Sequence, residues 1–378
     1  MVFYPEYNVQ PRKYKVYFRD WEGKIIPQNG EEYYLVKYNT IYDGPMENFH
    51  YRDSSSLADN MRWAFQGWSK NQYKDTEVKD PQYIDLKSLR VMNDITLHGH
   101  YLQENCRLVA SRNEYFQVTG RTISISEDYV NILEGKITIP SKINDVELTT
   151  IGNFKNLAKV THIFFLGDNI TYTTVNNDAF RNAAALQSIE LPVGITSIGQ
   201  YAFANIPTLY NIVMHDNITS IGNQAFVDTS INPSKLPAKL TTIGTGAFMN
   251  NPALSLSALP QNLKEVSQYA FYGCPKLNIS YFGSADSKLE SIGAQAFASS
   301  GNNNSVVDVY FGESINSIGT DAFANYGKNY TVKNIAFAKN YVEEYLKEDK
   351  LNYHTGIESM GFTGSYDSVI WSWKGEGV

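Results

Sequence analysis

Few side chains in this sequence have the types and spacing that chemistry requires. His98 and His100 are separated by one residue, so on a strand they point to the same side and could begin a metal site. No third ligand is close in sequence, and solvated strand positions are the simpler interpretation. Cys274 could be a nucleophile, but a free cysteine within an apolar repeat more often packs as a small hydrophobic residue. Glu343 and Glu344 fit the solvated face of a helix.

The larger sequence signatures of catalysis are also absent. There is no phosphate-binding P-loop, no Gly-x-Gly-x-x-Gly at a strand–helix junction, no His-Glu-x-x-His and no Gly-x-Ser-x-Gly. We therefore predict a protein that is not an enzyme and that uses neither a cofactor nor a metal.

The composition indicates an extended, polar and strand-rich protein. Of 378 residues, 27 are tyrosine, while charged residues make up only 19%. The net charge is −7 and no run of Lys or Arg occurs, so nucleic acid is an unexpected partner. Two distant cysteines make no disulfide framework. No segment has the pattern of a signal peptide or a transmembrane helix, so we expect no membrane insertion and no signal-dependent export by this chain alone.

One short phrase, Ile-Gly-x-x-Ala-Phe, recurs along the second half of the chain. Its phenylalanines are Phe180, Phe203, Phe226, Phe248, Phe271, Phe297 and Phe323. A copy that matches the phrase less well precedes them at 149–157. This fixed period predicts a solenoid in which each coil buries its apolar side against its neighbours, with Phe, Ile/Val and Ile/Leu stacked in columns. The glycine after the isoleucine is expected to adopt a positive φ as the chain leaves a strand.

A second strand is predicted in each coil, 17 residues before the phenylalanine. The segments 186–192, 209–215, 254–260 and 306–312 share that register. Their outward side chains would line one face of a parallel sheet, which is the usual recognition surface of a solenoid. The alternative is that these polar residues only keep the sheet soluble. The candidate binding residues on this face are Glu190, Tyr210, Asn211, Asp308 and Tyr310.

Aromatic residues at the two chain ends are further candidates for binding. The chain starts with MVFYPEY, and Trp371 and Trp373 share one face of a short strand near its end. These side chains are expected either to fold back on the solenoid caps or to dock into a neighbouring subunit, which would make a homo-oligomer. A helix at 338–354 with an apolar stripe is the predicted C-terminal cap.

The repeat resembles the BspA-type leucine-rich repeat of bacterial and phage surface proteins. The resemblance rests on the copies LPVGITSIGQYAFANIPTL and LPAKLTTIGTGAFMNNPAL, and GCPKL at 273–277 keeps the family's cysteine as Cys274. It covers about 149–337, half of the chain. It implies adhesion or protein binding rather than catalysis.

Residues 14–102 resemble a different unit, the internalin B-repeat, also called the Listeria–Bacteroides repeat. The shared order is a strand, a turn, an extended segment before a proline, Phe-x-Gly-Trp and a closing strand. The resemblance implies a small β-grasp-like sheet that serves as a spacer or a weak binding unit. The matching positions are Val16, Phe18, Gly23, Pro45, Phe65, Gly67, Trp68, Leu97 and Tyr101.

Together these patterns predict a mainly β chain with short helices, in which a β-grasp-like module precedes a leucine-rich-repeat solenoid with end caps. The predicted segments are an N-terminal arm at 1–13, the module at 14–102, connecting or capping strands at 103–148, the solenoid at 149–337, and a cap helix with an aromatic tail at 338–378.

The predicted function is non-enzymatic binding, adhesion or a structural role. Because virion proteins need no export signal, the first expectation is a phage tail, fibre or accessory protein that also contacts other virion proteins. The alternative is a bacterial cell-surface adhesin that binds host or cell-wall ligands through the repeat sheet. Under either hypothesis the ligand is a protein or a cell-surface glycan.

Overall fold

The computed structural model describes residues 12–20, 22–27, 31–43, 57–58, 61–73, 81–106, 110–166, 171–283, 287–301, 307–326, 332–337, 359–360 and 368–370. The chain divides into two compact units, Met1–Leu108 and Val109–Val378, and each has its own hydrophobic core. Over the described ranges, no helix is long and apolar enough to cross a membrane.

The first unit is built on a mixed sheet. Its strands are β1 (Lys13–Arg19), β2 (Tyr34–Lys37), β3 (Thr40–Ile41), β4 (Met61–Ser69), β5 (Arg90–Val91) and β6 (Ile95–Asn105). Four of them form one sheet in the order β2–β1–β6–β4, while β3 pairs with β5. The central strands β1 and β6 are parallel, and each outer strand runs antiparallel to its neighbour. The first unit is therefore a small mixed sheet, as predicted, and its β-grasp-like character stays a prediction.

The core of the first unit follows from alternation along β1 and the first residues of β6. Val16 and Phe18 on β1 are fully buried, as is Leu97 on β6. The Phe18 ring lies 4.9 Å from the Trp68 ring and 5.9 Å from the Tyr42 ring, both in edge-to-face geometry. The odd-numbered residues of β1 therefore occupy the opposite face of the sheet.

The second unit is the predicted solenoid, and one long sheet runs along its whole described length. The ten strands are β7 (Phe116–Thr119), β8 (Thr122–Ile125), β12 (Thr150–Ile151), β14 (Thr174–Val175), β16 (Ser197–Ile198), β18 (Ser220–Ile221), β19 (Thr242–Ile243), β20 (Glu265–Val266), β22 (Ser291–Ile292) and β24 (Ser317–Ile318). Except for the antiparallel β7–β8 hairpin, neighbouring strands are parallel and in register from coil to coil. This confirms the fold class.

The phenylalanine column forms the spine of the solenoid core. Neighbouring rings stack 5.0–5.4 Å apart, with interplanar angles as small as 4° between Phe203 and Phe226. Phe154 begins the stack, so the copy at 149–157 is a coil of the same kind. The preceding alanines, such as Ala202, are fully buried, and their carbonyls accept the N–H of the phenylalanine one coil earlier.

The repeated glycine has a different cause from the one expected. Gly199 and Gly244 do not have positive φ. A Cβ at Gly199 would instead lie 2.5 Å from the backbone of Asn176 in the previous coil, so the expectation of a positive φ is wrong and close coil-to-coil approach is the reason for glycine. Positive φ occurs two residues before and after the phenylalanine, as at Tyr201 (55°) and Asn205 (60°).

The other side of the solenoid is covered by two shorter parallel sheets. The first contains β9 (Glu134–Ile139), β13 (Lys159–Phe165), β15 (Ser188–Glu190) and β17 (Asn211–Val213), and the second contains β21 (Tyr281–Phe282), β23 (Val307–Phe311), β25 (Val332–Phe337) and β26 (Ser368–Ile370). The strand predicted at 254–260 does not form. The coil before it contains Pro233 and Pro237, which have no N–H, and the Ser255 amide donates to the Asn232 side chain at 3.0 Å rather than to a strand carbonyl.

Residues 103–105 of the segment 103–148 end β6 of the first unit, and from β7 onward the segment contributes strands to the solenoid itself. β8 pairs with β12 and β9 pairs with β13, so this segment supplies a first coil, and the β7–β8 hairpin ends the long sheet. Two 3₁₀ turns (Asn113–Tyr115 and Glu127–Tyr129) and the short hairpin of β10 (Lys142–Ile143) with β11 (Val146–Glu147) complete it.

At the other end of the solenoid, Ser359 and Met360 continue the hydrogen bonding between coils, because their carbonyls accept the amides of Asp321 and Phe323. The Phe323 amide donates to the Met360 carbonyl at 2.8 Å, and Met360 is buried. The cap helix predicted at 338–354 lies outside the described residues.

Candidate binding surfaces

Three of the predicted binding residues meet on neighbouring strands of one short sheet. Asn211 on β17 pairs with Ser188 on β15, and its side-chain amide donates to the Ser188 hydroxyl at 2.9 Å. Glu190 pairs with Val213 in the same ladder. Tyr210 immediately precedes β17. Glu190, Tyr210, Asn211 and Val213 are called the Tyr210 patch.

Alternation along β17 places Asn211 and Val213 outward, whereas Tyr210 precedes the strand, where its amide and that of Asn211 both donate to the Gln187 carbonyl and the alternation is interrupted. Leu209 and Ile212 point into the core and are buried, whereas Tyr210 is 57% exposed and Val213 is 38% exposed. Tyr210 is the most exposed of the large hydrophobic side chains reported for the described residues. A large aromatic residue held outward on a rigid sheet is the type of side chain that most often carries binding energy at interfaces.

A second exposed aromatic group lies on the other short sheet. Tyr310 on β23 pairs in register with Tyr281 on β21, and their rings stack with centroids 4.6 Å apart and planes 7° from parallel. Tyr281 is 41% exposed. Sequence analysis found Tyr310 but missed Tyr281, although both stand in the tripeptide Tyr-Phe-Gly, a signal that could have located the pair.

The predicted face is therefore divided into two patches rather than continuous. The coils between β17 and β21 form no strand on this side, so Tyr210 and Tyr310 belong to different sheets. Asp308 lies on β23, and its side chain is outside the described part of the structure. Trp371 and Trp373 also lie outside the described residues, so their binding role stays a prediction.

The long sheet carries a contrasting surface of small hydroxyl and amide side chains. Its threonine hydroxyls bond the backbone of the previous coil: Thr196 donates to Thr173 O at 3.1 Å, and Thr219 donates to Thr196 O at 3.1 Å. An open groove of about 490 Å³ lies here, lined by Thr174, Val175, Asn176, Asn177, Ser197, Ile198 and Gly199. The Thr196 and Thr219 hydroxyls therefore join successive coils, whereas the hydroxyl of Thr174 in the groove lies 3.5 Å from the hydroxyls of Thr173 and Ser197.

The two histidines of β6 are not the solvated strand residues that the sequence suggested, since His98 is half-buried and His100 is buried. His100 is buried, and its Nδ1 lies 2.7 Å from the Tyr83 hydroxyl. Burial, followed by the nearby positive charge of Arg19, lowers the pKa of His98. Over the described residues, no three His, Cys, Asp or Glu side chains come together as metal ligands would.

Cys274 is a packing residue of the solenoid core. Its side chain is fully buried, and the thiol donates to the Phe248 carbonyl at 3.0 Å. Burial raises the pKa of Cys274 to about 12, against a smaller lowering by a backbone hydrogen bond from Asn251. The thiolate that a nucleophile needs is therefore scarce at neutral pH.

This environment predicts how Cys274 reacts. In a Cys106→Ala variant, which leaves Cys274 as the single thiol, we expect no reaction with a disulfide reagent at pH 8 in the native state and one thiol released in denaturant. Because the pKa is raised on folding, neutral Cys274 supports stability below the unfolded pKa of about 9, and this contribution declines as pH rises towards about 12. Reaction of one thiol per chain in the native variant would show that the reagent reaches Cys274 and would contradict its burial.

Comparison with known proteins gives a family and a set of similar folds. Six copies of the repeat match the family described as BspA type leucine rich repeat region, over residues 129–255, 173–303 and 225–346. The overlapping matches run from 129 to 346, more than half of the chain. No curated protein matches the chain significantly.

Three similar solved structures are leucine-rich repeat proteins of bacteria. A leucine rich cell surface protein from Faecalibacterium prausnitzii is 19% identical, covering 61% of this chain and 71% of that chain, with a TM-score of 0.45. A leucine-rich repeat protein from Bacteroides ovatus is 20% identical, covering 61% and 70%, with a TM-score of 0.39. The T. pallidum leucine rich repeat protein is 18% identical, covering 70% and 99%, with a TM-score of 0.34.

Proposed function

The chain belongs to the BspA-type leucine-rich repeat family, and from this premise we propose that it is a non-enzymatic adhesion protein which binds a macromolecular ligand through the Tyr210 patch. The observation that carries the proposal is the 57% exposure of Tyr210 on a sheet whose backbone is otherwise ordered by coil-to-coil pairing. Tyrosine supplies a large contact area with few rotatable bonds, so little entropy is lost on binding.

The chemistry around Tyr210 favours a protein or a glycan as the ligand. Asn211 supplies an amide next to Tyr210 in sequence, and at the other end of β17 Val213 adds apolar area opposite the carboxylate-bearing Glu190 of β15. A phenol ring with adjacent hydrogen-bonding groups suits a sugar ring or a peptide side chain equally well. The stacked pair Tyr281 and Tyr310 offers a second contact of the same chemistry on the later sheet.

Two finer proposals concern placement and the first unit. We infer that the protein acts at a bacterial cell surface, where adhesion of this kind operates, and that residues 14–102 are an internalin B-repeat-like spacer. The mixed sheet with parallel central strands supports the second inference. The virion role stays a prediction, because it depends on the chain ends, and Trp371 and Trp373 lie outside the described residues.

The binding proposal is tested with the full chain and a panel of ligands. The panel contains mucin, fibrinogen, fibronectin, purified peptidoglycan and a printed glycan array. We expect saturable binding to at least one member, weakened about tenfold or more in Tyr210→Ala/Asn211→Ala, since a central aromatic contact contributes about 2 kcal/mol at an interface.

The matched control is Tyr38→Ala, which removes a tyrosine of similar exposure, 49%, from the first unit. We expect this variant to bind as the unchanged chain does. Full binding by the Tyr210→Ala/Asn211→Ala variant, or an equal loss in both variants, would contradict the proposal.

A further inference from the structure

The outer face of the mixed sheet in the first unit concentrates positive charge. Val16 and Phe18 point into the core, so alternation places Lys13, Lys15 and Arg19 on the other side of β1. On β2 the buried residue is Val36, which places Lys37 on that same outer side. Lys13, Lys15, Arg19 and Lys37 are called the cationic face.

The cationic face is positive because four cations are gathered on it, not because the first unit carries a net positive charge. Residues 1–108 contain 14 Lys or Arg against 15 Asp or Glu, so the unit as a whole is close to neutral. The antiparallel register sets Lys13 directly opposite Lys37, with side-chain roots about 5 Å apart, and Lys15 follows about 7 Å along β1.

The pairing of Lys13 with Lys37 places two positive charges opposite each other, which disfavours this pair of strands. Like charges directly opposite each other destabilise an antiparallel pair. Within the described ranges, no ion pair involves any of the four residues of the cationic face. The carboxylate of Asp94, at the start of β6, accepts the backbone N–H of Lys15 at 2.8 Å. An anionic ligand would relieve the repulsion, which is the complementarity that steers charged partners together.

Aromatic rings complete the cationic face. The Lys15 ammonium lies 4.1 Å from the centre of the Tyr33 ring, and the Tyr17 ring meets Tyr33 edge-on at 5.7 Å. These contacts hold the Lys15 ammonium and both rings on the outer side of the sheet. A surface of this kind can contact successive groups of a long chain.

We propose that the cationic face binds a linear phosphate-bearing polymer of the cell wall, such as a polyol phosphate. Three of its four cations are lysines, whose compact ammonium groups suit single phosphates. The cations are spread over two strands, so several phosphates of one chain can be contacted together, as in multivalent binding. This site lies in the first unit and does not depend on the Tyr210 patch.

The test measures binding of the full chain to immobilised poly(glycerol phosphate), prepared by removing the acyl chains of lipoteichoic acid. We expect binding at 50 mM NaCl that is largely lost at 500 mM, because exposed charges are screened by salt. We expect Lys13→Gln/Lys37→Gln to bind about tenfold more weakly than the unchanged chain.

The control Lys155→Gln/Lys276→Gln removes the same number of charges from exposed positions of the solenoid, so the net charge of the two variants is equal. We expect it to bind as the unchanged chain does. The thermal midpoint of Lys13→Gln/Lys37→Gln should not fall, because a repulsive pair is removed. Equal binding by the two variants, or no binding at 50 mM NaCl, would overturn the proposal.

Two further probes separate the polymer from other anions. Neutral dextran and polyglutamate should bind at least tenfold more weakly than poly(glycerol phosphate). Vesicles of phosphatidylglycerol and phosphatidylcholine test a membrane as the partner instead. Polyglutamate bound as tightly as the phosphate polymer, or vesicles bound while the polymer is not, would contradict a phosphate-polymer site.

Discussion

Replacing Phe226 with alanine is expected to lower the free energy of unfolding by about 3–5 kcal/mol, the range for removing a fully buried phenylalanine. Its ring stacks at 5.2 Å on Phe203 and at 5.4 Å on Phe248, so one substitution removes contacts in both directions along the core. Because each coil of a solenoid is stabilised by its neighbours, a defect at the centre also uncouples the two halves. Urea denaturation followed by circular dichroism measures the change.

The matched control for Phe226→Ala is Tyr210→Ala in the same solenoid. Tyr210 is 57% exposed, so its loss should change the unfolding free energy by less than about 0.5 kcal/mol. A loss below about 1 kcal/mol for Phe226→Ala would mean that the column is not the spine of the core.

Gly244→Ala is expected to destabilise the protein by about 2–3 kcal/mol, a large effect for a single methyl group. The added Cβ would lie 2.6 Å from the backbone nitrogen of Asn223 and 2.7 Å from the backbone of Gly222, both in the preceding coil. Backbone atoms move only if the coils separate, and overpacking of this kind costs about 1–3 kcal/mol. The thermal midpoint and urea denaturation measure the loss.

Gly246→Gln is the matched control for this prediction. Gly246 has φ of +61°, but Gln224 and Gln295 occupy the equivalent position in other coils with φ of 53°. We therefore expect Gly246→Gln to change stability by less than about 1 kcal/mol. A loss below about 1 kcal/mol for Gly244→Ala, or a loss no larger than that of Gly246→Gln, would contradict close coil spacing as the reason for the repeated glycines.

The solenoid could be predicted because each coil repeats the residues that decide its packing. Phe, Ala and Ile recur at fixed distances, and each repeat predicts the same buried position. The sequence could not show why a glycine such as Gly199 or Gly244 follows the isoleucine, since φ and the distance between coils are properties of the folded backbone. The first coil, around β8 and β9, lacks the repeated phrase, so its sequence indicated only connecting or capping strands.

The candidate site was predicted less completely. Alternation around Ile212 places Asn211 and Val213 outward, but it would place Tyr210 inward, so the exposure of Tyr210 depends on the interrupted pairing just before β17. The face is divided because no strand forms at 254–260. The residues that prevent it, Pro233, Pro237 and Asn232, belong to the preceding coil, so the sequence of 254–260 itself does not reveal the break. Tyr281 stands 16 residues before Phe297, as Tyr210 stands 16 residues before Phe226, so the repeat spacing carries a signal for Tyr281 as well.

The Tyr210 patch and the hydroxyl-rich long sheet are the two surfaces of the solenoid between which ligand binding must be distinguished. Hydroxyl-radical footprinting of the full chain, with and without the ligand that binds most tightly in the panel, distinguishes them directly because exposed tyrosine side chains are readily oxidised. We expect the ligand to protect Tyr210 from oxidation by several-fold and to leave the oxidation of Tyr38 unchanged. Unchanged oxidation of Tyr210 at saturating ligand, with protection of peptides around Thr174 and Ser197 instead, would contradict binding at the Tyr210 patch.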